Sequence, residues 1–497
     1  LGFARDALIA WYFGAGFSAD AFLAAFRIPN LFRRLVGEGT LNSAFVPLLA
    51  EARWKGGDGE AGELFRSAVS RIALLLSAVC AAGMLAAPWI VRLLTPGFSA
   101  AKLDLTLTLV RLMLPYLVVG GVAALFMGAL NVYGRFAAPA LAPALLNVAM
   151  IGSLAGMAPF LERPVIALAV GLLIGGAAQL VLQAVLLGRC ELRPRRPARR
   201  GHPALARMAR FMLPAVLGGA AYHLNVLVGT MLASLLAEGS VSYLYYADRL
   251  GEVPLGVAAM AAATAILPSL ARDAAAGNLG ALRATFEHAF RLVSCVTVPA
   301  AVGLILLGEP IVLLLFARGE FSTADARLTV QAVSYYALGL WAFAAVRIVV
   351  AAFFALQDST TPVRAALAAL AANLLLGVML MGPLAHGGMA LATSLAAALN
   401  LALLLAALRR KLGGLDGRGI ALSLARSLLC AGLMAPAVWG VARATLHGPG
   451  QGTAGLALGL AASITAGAAV YLAAGLALGS PEVSGLQAAL RGSVRGR

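Results

Sequence analysis

Charged residues are scarce in this chain of 497 residues: Asp, Glu, Lys and Arg make up 12% of it, whereas 61% of it is hydrophobic. Soluble domains carry about 25% charged and about 45–50% apolar residues. A soluble fold could not bury so much apolar surface, and the mean hydropathy of +0.90 points the same way. The composition therefore excludes a soluble globular protein.

Motifs of nucleotide and metal chemistry are also absent. None of the three lysines, Lys55, Lys102 and Lys411, follows the GxxxxG pattern of a loop that holds ATP phosphates. The HExxH and GxSxG patterns do not occur, and the four cysteines form no CxxC pair. We therefore expect no enzyme, no cofactor and no metal site, and we expect the cysteines to pack as small apolar side chains.

Long uncharged runs dominate what is present. Runs such as 112–134, 136–161 and 365–408 can cross a bilayer, for which about 20 apolar residues suffice. They lack the alternation of a transmembrane barrel. The sequence predicts an all-α polytopic membrane protein with about 14 transmembrane helices. The predicted helices are 1–13, 19–50, 70–93, 105–131, 137–158, 164–188, 207–236, 241–271, 288–308, 328–356, 362–382, 388–408, 420–442 and 454–478.

The basic residues lie mostly in alternate loops. Apart from six that lie well inside predicted helices, 25 Lys and Arg residues lie in or near the even-numbered loops and the tail, and seven near the odd-numbered loops. Cytoplasmic loops carry such an excess. We therefore expect a bacterial inner-membrane protein with both termini in the cytoplasm. Topology, rather than binding of nucleic acid or a dedicated lipid patch, accounts for the net charge of +17. Membrane lipids are expected partners of any such protein.

The turns repeat at an offset of about 222 residues. Six helices fit into this offset, so the two halves share one orientation and are related by an axis along the membrane normal. The matching pairs are Pro88 with Pro310, Pro47 with Pro268, Pro139 with Pro362, and Gly16 with Gly239. The predicted domains are an N-terminal six-helix half at 1–188, a cytoplasmic basic linker at 189–210, a C-terminal six-helix half at 211–412, and two extra helices with a cytoplasmic tail at 413–497.

Ionisable residues inside membrane helices are costly and usually face a bundle interior or a water-filled cavity. Here they concentrate in predicted helices 1, 2 and 8, where arginines outnumber acids once Asp6 is set aside. This excess suits an anionic ligand, because the planar fork of Arg matches phosphate oxygens. In the alternative interpretation they are structural ion pairs, such as Arg249 with Glu252. The candidate substrate-binding residues are Arg5, Arg27, Arg33, Arg34, Arg249, Asp20, Glu38, Asp248 and Glu252.

Four stretches resemble the MurJ (MviN) family of lipid II flippases. They are residues 2–51, beginning GFARDALIAWYFGAGFSAD, then NVYGRFAAPALAPALLNV from Asn131, SVSYLYYADRLGEVPLGV from Ser240, and QDSTTPV from Gln357. The resemblance implies a 14-helix transporter of the multidrug/oligosaccharidyl-lipid/polysaccharide exporter superfamily. Such a transporter moves lipid II, the undecaprenyl-pyrophosphate-linked disaccharide pentapeptide, from the cytoplasmic to the outer leaflet.

The resemblance also implies roles for particular residues. It places Arg5, Arg33 and Arg249 in a cationic central cavity that grips the pyrophosphate, with Asp20, Glu38 and Glu252 at acidic positions of the same motifs. The chain departs from the family in lacking the residues that precede Leu1 and in having Trp11 where some members have a basic residue. Some members use a cation site built from acids and amides; predicted helix 11 offers Asn373 but no acid, which argues against sodium coupling.

Two alternatives stay open. The chain is an exporter of another lipid-linked oligosaccharide or a drug, although a drug exporter would favour membrane acids over arginines. In the second alternative, the chain is a non-transporting scaffold of cell-wall synthesis or division. If the chain is a flippase, the proteins of cell-wall synthesis and division are candidate partners. Without a phosphate-binding loop, we expect any transport to be driven by membrane potential or an ion gradient.

The charge asymmetry gives a testable topology. A reporter that is active only in the periplasm, inserted between Arg193 and Arg200, should stay inactive because this segment is predicted to be cytoplasmic. The same reporter inserted near Arg163 is the control and should be active. Strong activity at the first site would overturn the topology.

Overall fold

The computed structural model describes residues 1–33, 40–188, 202–446, 452–485 and 487. Within these ranges the side chains are described except at 40–43, 211, 213–223, 257–259 and 261. All regular secondary structure of the described residues is helical. The prediction of an all-α membrane protein is therefore confirmed.

The described chain forms two compact units. The first covers Leu1–Ser242 and the second Tyr243–Arg497. The first contains α1 (Gly2–Phe13), α2 (Phe17–Phe32), α3 (Thr40–Leu94), α4 (Ala100–Met113), α5 (Tyr116–Val132), α6 (Ala137–Met157), a 3-10 turn (Ala158–Phe160), α7 (Ile166–Gly188) and α8 (Ala204–Ser234). The second contains α9 (Ser240–Pro254), whose first three residues belong to the first unit, a π-helical segment (Leu255–Met260), α10 (Ala261–Ala275), α11 (Leu279–Phe316), α12 (Thr323–Ala355), α13 (Thr360–Lys411), α14 (Gly417–Leu446) and α15 (Thr453–Ala477).

Each of the 14 predicted segments overlaps helix, but the helix boundaries differ in places. Most of the loop predicted at 51–69 is helical: two helical segments of α3 meet at Gly57, whose φ of 69° and ψ of −167° are not helical. Ion pairs one turn apart, such as Lys55 with Glu51, support this charged stretch. The predicted helix 105–131 is divided at Pro115, whose ring cannot supply the backbone donor of a continuous helix.

Among the described residues, nine helical stretches are long and apolar enough to cross a membrane, with α4 and α5 counted together as one. One of them, α13, covers two predicted crossings and is interrupted at Ala385, whose φ of 48° and ψ of −132° are not helical. The helices α1 and α2 have 12 and 16 residues and fall below a full crossing by length. The number of 14 crossings therefore stays a prediction.

Aromatic side chains mark the interior of each unit. In the first unit, Phe65 lies between Phe45 and Phe126, with ring centroids 6.5 Å and 5.4 Å away. In the second unit, Phe290 contacts the edge of Trp341 at 6.2 Å. Such pairs join helices that are distant in sequence, so each unit has its own packed core.

Local geometry follows the repeat offset. Ser99 and Ser322, 223 residues apart, cap α4 and α12, and each side chain accepts a hydrogen bond from the backbone N–H three residues later. Gly134 and Gln357, also 223 apart, both adopt positive φ, 71° and 56°, just after a helix ends. The domain boundaries at the basic linker stay a prediction, because residues 189–201 lie outside the described residues.

The QDSTTPV motif shapes the start of α13. The carboxylate of Asp358 accepts hydrogen bonds from the backbone and hydroxyl groups of Thr360 and Thr361 and pairs with Lys411 at the other end of α13. The hydrogen bonds from Lys411 and Thr361 hold the pKa of Asp358 well below its usual range. The motif therefore acts as a helix cap that also ties together the two ends of α13.

Close packing of α6 on α7 gives a test of this fold. A Cβ at Gly175 would lie 2.9 Å from the Cα of Leu146. Gly175→Ala should therefore lower thermal stability by about 1–3 kcal/mol through overpacking, measured by thermal unfolding in detergent. Gly156→Ala on α6 is the control, because its Cβ would meet nothing within 4 Å. Equal stability of the two variants would contradict the packing.

Candidate functional site

The structure describes seven of the nine candidate residues. Arg34 and Glu38 lie outside the described residues. The first unit carries Arg5 on α1, Asp20 and Arg27 on α2, and Arg33 directly after it, and the second unit carries Asp248, Arg249 and Glu252 on α9.

Arg5 is a buried cation on α1. Its Nε and Nη2 donate to Oδ1 of Asp6 at 2.9 Å and 2.7 Å, and the two side chains are 9% and 2% exposed. The guanidinium carbon lies 5.8 Å from the ring centre of Phe26 on α2. A cation in an apolar setting needs such a partner, because an unpaired buried charge is strongly unfavourable. The geometry fixes the orientation of Arg5.

Arg33 is held differently, at the end of α2. Its Nε and Nη2 both donate to Oδ1 of Asn30, at 3.3 Å and 2.9 Å. The residue is half-buried. An amide oxygen orients a guanidinium without cancelling its charge. This contact therefore positions the guanidinium of Arg33.

Arg249 contacts two residues on the same face of α9. It pairs with Glu252, three residues later, and its Nη2 donates to the hydroxyl of Tyr245, four residues earlier, at 3.1 Å. Residues three and four apart are neighbours on a helix. The side chains of Arg249 and Glu252 are 18% and 39% exposed, so this pair reaches solvent whereas the pair of Arg5 and Asp6 does not. Arg27 is half-buried and Asp248 is exposed.

Asp20 lies in a buried network rather than on an open surface. Its carboxylate pairs with Lys102 of α4 at 2.8 Å, with side chains 2% and 6% exposed. It also accepts from the backbone N–H of Gly239 and from the N–H and hydroxyl of Ser242, at 2.9, 2.9 and 2.6 Å. The carboxylate thereby accepts hydrogen bonds from backbone N–H groups at the start of α9, which have no acceptor within the helix. We call Asp20, Lys102, Gly239 and Ser242 the Asp20 network.

Lys102 was not among the sequence-derived candidates, because its charge was assigned to a short outer loop. The ammonium is instead buried, 4.6 Å from the ring centre of Phe98. The repeat offset could have found it. Asp20 and Lys102 correspond at 223 residues to Tyr243 and Asp325, and in the second unit the Tyr243 hydroxyl donates to Asp325 at 2.8 Å. The same helix-to-helix contact occurs in both units, with different chemistry.

Among the described residues, no group of three or more His, Cys, Asp or Glu side chains is arranged to hold a metal ion. Asn373, the amide singled out in the sequence, is buried and accepts a hydrogen bond from the hydroxyl of Thr393 at 3.3 Å. This contact joins the two halves of α13 on either side of Ala385.

Comparison with known proteins gives a consistent result. The family model described as lipid II flippase MurJ matches residues 9–468. The probable lipid II flippase MurJ of Rhizobium meliloti is 37% identical over 500 residues, covering 97% of this chain and 92% of that protein. The probable lipid II flippase MurJ of Vibrio cholerae is 35% identical over 413 residues, covering 81% and 79%.

Solved structures show the same fold. A lipid II flippase MurJ in an inward closed conformation superposes with a TM-score of 0.79 at 24% identity, covering 95% of each chain. An inward-facing multidrug resistance MATE transporter of the MOP superfamily has a TM-score of 0.70 at 15% identity, covering 83% of this chain and 94% of that one. At these identities the likeness concerns the fold alone.

The Asp20 network predicts a large stability effect. Asp20→Asn leaves the buried Lys102 cation without a carboxylate and should cost about 3–5 kcal/mol. Adding Lys102→Met removes that cation and should recover part of the loss. Asp104→Asn is the control, because Asp104 pairs with Arg163 on the surface, where ion pairs contribute little. Thermal unfolding of the purified variants is the measurement, and equal melting temperatures of Asp20→Asn and Asp104→Asn would refute the prediction.

Proposed function

The chain belongs to the lipid II flippase family MurJ, and from this premise we propose that it carries lipid II from the inner to the outer leaflet of the bacterial cytoplasmic membrane. It is a multi-pass membrane protein with the fold of the MOP transporters. Lipid II has a polar head that cannot cross hydrocarbon unaided, so a flippase must supply a polar route.

The observation that carries the proposal is how three arginines are buried and held by neighbouring side chains. Arg5, Arg33 and Arg249 are buried or half-buried, and each guanidinium is fixed by a neighbour on its own helix or helix end. A guanidinium matches two oxygens of a phosphate at once, which a lysine cannot do. Side chains held in this way lose little conformational entropy on binding. They suit recognition of the diphosphate of lipid II.

The partners of these three arginines differ in exposure and charge, and we assign them different roles. Asp6 is buried, so we assign the pair of Arg5 and Asp6 a fixed geometry throughout the cycle. Glu252 is 39% exposed, so a diphosphate can compete with it for Arg249. Asn30 holds the guanidinium of Arg33 through an uncharged amide oxygen, which keeps the planar fork oriented. Arg27, Arg34, Glu38 and Asp248 stay candidates for further contact with the head group.

Asp20 has a different role in this proposal. Because its carboxylate is already occupied by Lys102, Gly239 and Ser242, we assign it to the support of the transport fold. Transport proceeds by alternating access and needs no ATP hydrolysis, because the sequence has no phosphate-binding loop. Moving one charge through 100 mV is worth about 2.3 kcal/mol, so a membrane potential acting on cationic helices can reset a two-state cycle.

Substitution of the three arginines tests the proposal. Arg5→Ala, Arg33→Ala and Arg249→Ala should each weaken lipid II binding about ten- to a hundred-fold, since charge-assisted hydrogen bonds contribute roughly 1.5–3 kcal/mol. The Lys variants keep the charge but lose the planar fork, so they should rescue growth only in part. Binding to purified protein in nanodiscs and rescue of a flippase-depleted strain are the measurements.

The matched control is Arg163→Ala, which removes an exposed arginine paired with Asp104. It should bind lipid II and rescue growth as the unmodified chain does, and membrane abundance of every variant should be checked by immunoblot. Normal rescue by all three alanine variants would return these arginines to structural ion pairs and favour a scaffold. Accumulation of a different lipid-linked oligosaccharide on depletion would favour another exporter of the superfamily.

A further inference from the structure

A bend interrupts α13 in the second unit, at residues 383–388, which we call the α13 bend. Ala385 adopts φ 48° and ψ −132°, a conformation that residues with a Cβ rarely adopt. A Cβ at Gly387 would lie 2.9 Å from the ring of Tyr335 on α12, and one at Gly388 would lie 2.2 Å from the carbonyl oxygen of Leu380. The bend is therefore strained and tightly packed.

His386 lies at the centre of this bend and is 4% exposed. Its Nε2 is 2.8 Å from the carbonyl oxygen of Leu328 on α12. A carbonyl oxygen only accepts, so Nε2 carries the hydrogen and the neutral ring has no hydrogen on Nδ1. Among the described residues, Nδ1 has no hydrogen-bond partner. The contacts of the packed bend thus fit a neutral imidazole that carries its hydrogen on Nε2.

The imidazole connects to the first turn of α9. The ring centres of His386 and Tyr243 are 5.2 Å apart. The Tyr243 hydroxyl donates to Asp325, which forms the capping box of α12 with Ser322. Asp325 is the charged group of this set of contacts. Among the described residues, Tyr243 lies between the carboxylate of Asp325 and the imidazole of His386.

Two neutral side chains of α12 pack against the bend at Gly387. They are the amide of Gln331 and the ring of Tyr335, both within reach of a Cβ at Gly387. No contact of His386 with a carboxylate exists among the described residues. A proton arriving at His386 would therefore find no counter-ion in direct contact.

Protonation changes the balance between packed and opened states of the bend. A second proton would place an N–H on Nδ1 without an acceptor and a positive charge in a buried site, both of which are unfavourable. Opening the bend lets water hydrate the imidazolium. Proton uptake and opening are therefore linked, and the packed state is lost as pH falls below the ordinary pKa of histidine, about 6.5.

We propose that His386 is a proton-binding site that releases the α13 bend and the first turn of α9 when the outer side of the membrane is acidified. The predicted topology places the bend and the start of α9 on that side. Ser242, the residue before Tyr243 in the chain, belongs to the Asp20 network of the first unit. Movement of this turn would disturb that network too. The role of the site in coupling transport to a proton gradient rests on the proposed function, whereas the pH-dependent opening does not.

Hydrogen exchange of the full chain in nanodiscs measures the opening directly. Exchange rates, divided by the intrinsic rate of an unstructured peptide at each pH, should rise about tenfold or more between pH 7.5 and 5.0. The rise should appear at the amides of 384–390 and 240–246. A flat wild-type profile would overturn the proposal whether or not any variant folds.

Variants assign the effect to one imidazole. His386→Gln keeps a donor for Leu328 but does not titrate, so its profile should be flat, and His386→Asn is a second choice if this variant is unstable. His288→Gln, on an exposed position of α11, should retain the wild-type profile. A retained pH dependence in His386→Gln would overturn the proposal, and a response at 384–390 without one at 240–246 would overturn the link to α9. Arg5→Ala should keep the pH profile while losing lipid II binding, which separates this inference from the proposed function.

Discussion

A charge inside a membrane protein must be paired or hydrogen-bonded, because hydrocarbon provides no water to solvate it. The described structure meets this constraint at two buried places, the Asp20 network and the pair of Arg5 and Asp6. The Asp20 network in the first unit fastens the starts of α2, α4 and α9 around one carboxylate. The guanidinium of Arg5 likewise lies against the carboxylate of Asp6. The same requirement that shapes the helix ends also leaves the proposed substrate arginines preorganised.

One contact between helices occurs at equivalent positions of the two units but is made by different residues. At the 223-residue offset, the ion pair of Asp20 and Lys102 in the first unit is matched by the hydrogen bond of Tyr243 and Asp325 in the second. The charge has changed sign on the later helix, and a phenol has replaced a carboxylate on the earlier one. Both solutions satisfy a buried polar group, and both follow a serine that caps the later helix. The place of the contact therefore recurs at the repeat offset, whereas its residues differ.

Exposure separates a fixed pair from an exchangeable one. Asp6 and Asp20 are buried and hold their partners as part of the fold. Glu252 is more than a third exposed and shares the guanidinium of Arg249 with Tyr245. In a transporter that must bind and then release an anion, the exposed pair is the one in which substrate can replace the internal carboxylate at low cost. The buried pair of Asp20 and Lys102 instead joins α2 to α4.

The sequence by itself determined the helical class, the membrane location and most helix positions, because spanning length and charge asymmetry are local properties. It also singled out Arg5, Arg33 and Arg249 as candidates, since arginine within an apolar run stands out and the flanking motifs resemble a known family; their role in binding stays a prediction. The loop that it placed at 51–69 is too long: the break is confined to Gly57, and pairs such as Lys55 with Glu51 stabilise helix among charged residues. Only the tertiary structure showed that Asp20 is occupied by Lys102, 82 residues away. The sequence shows which side chains are ionisable, but which of them pair depends on which helix ends pack together.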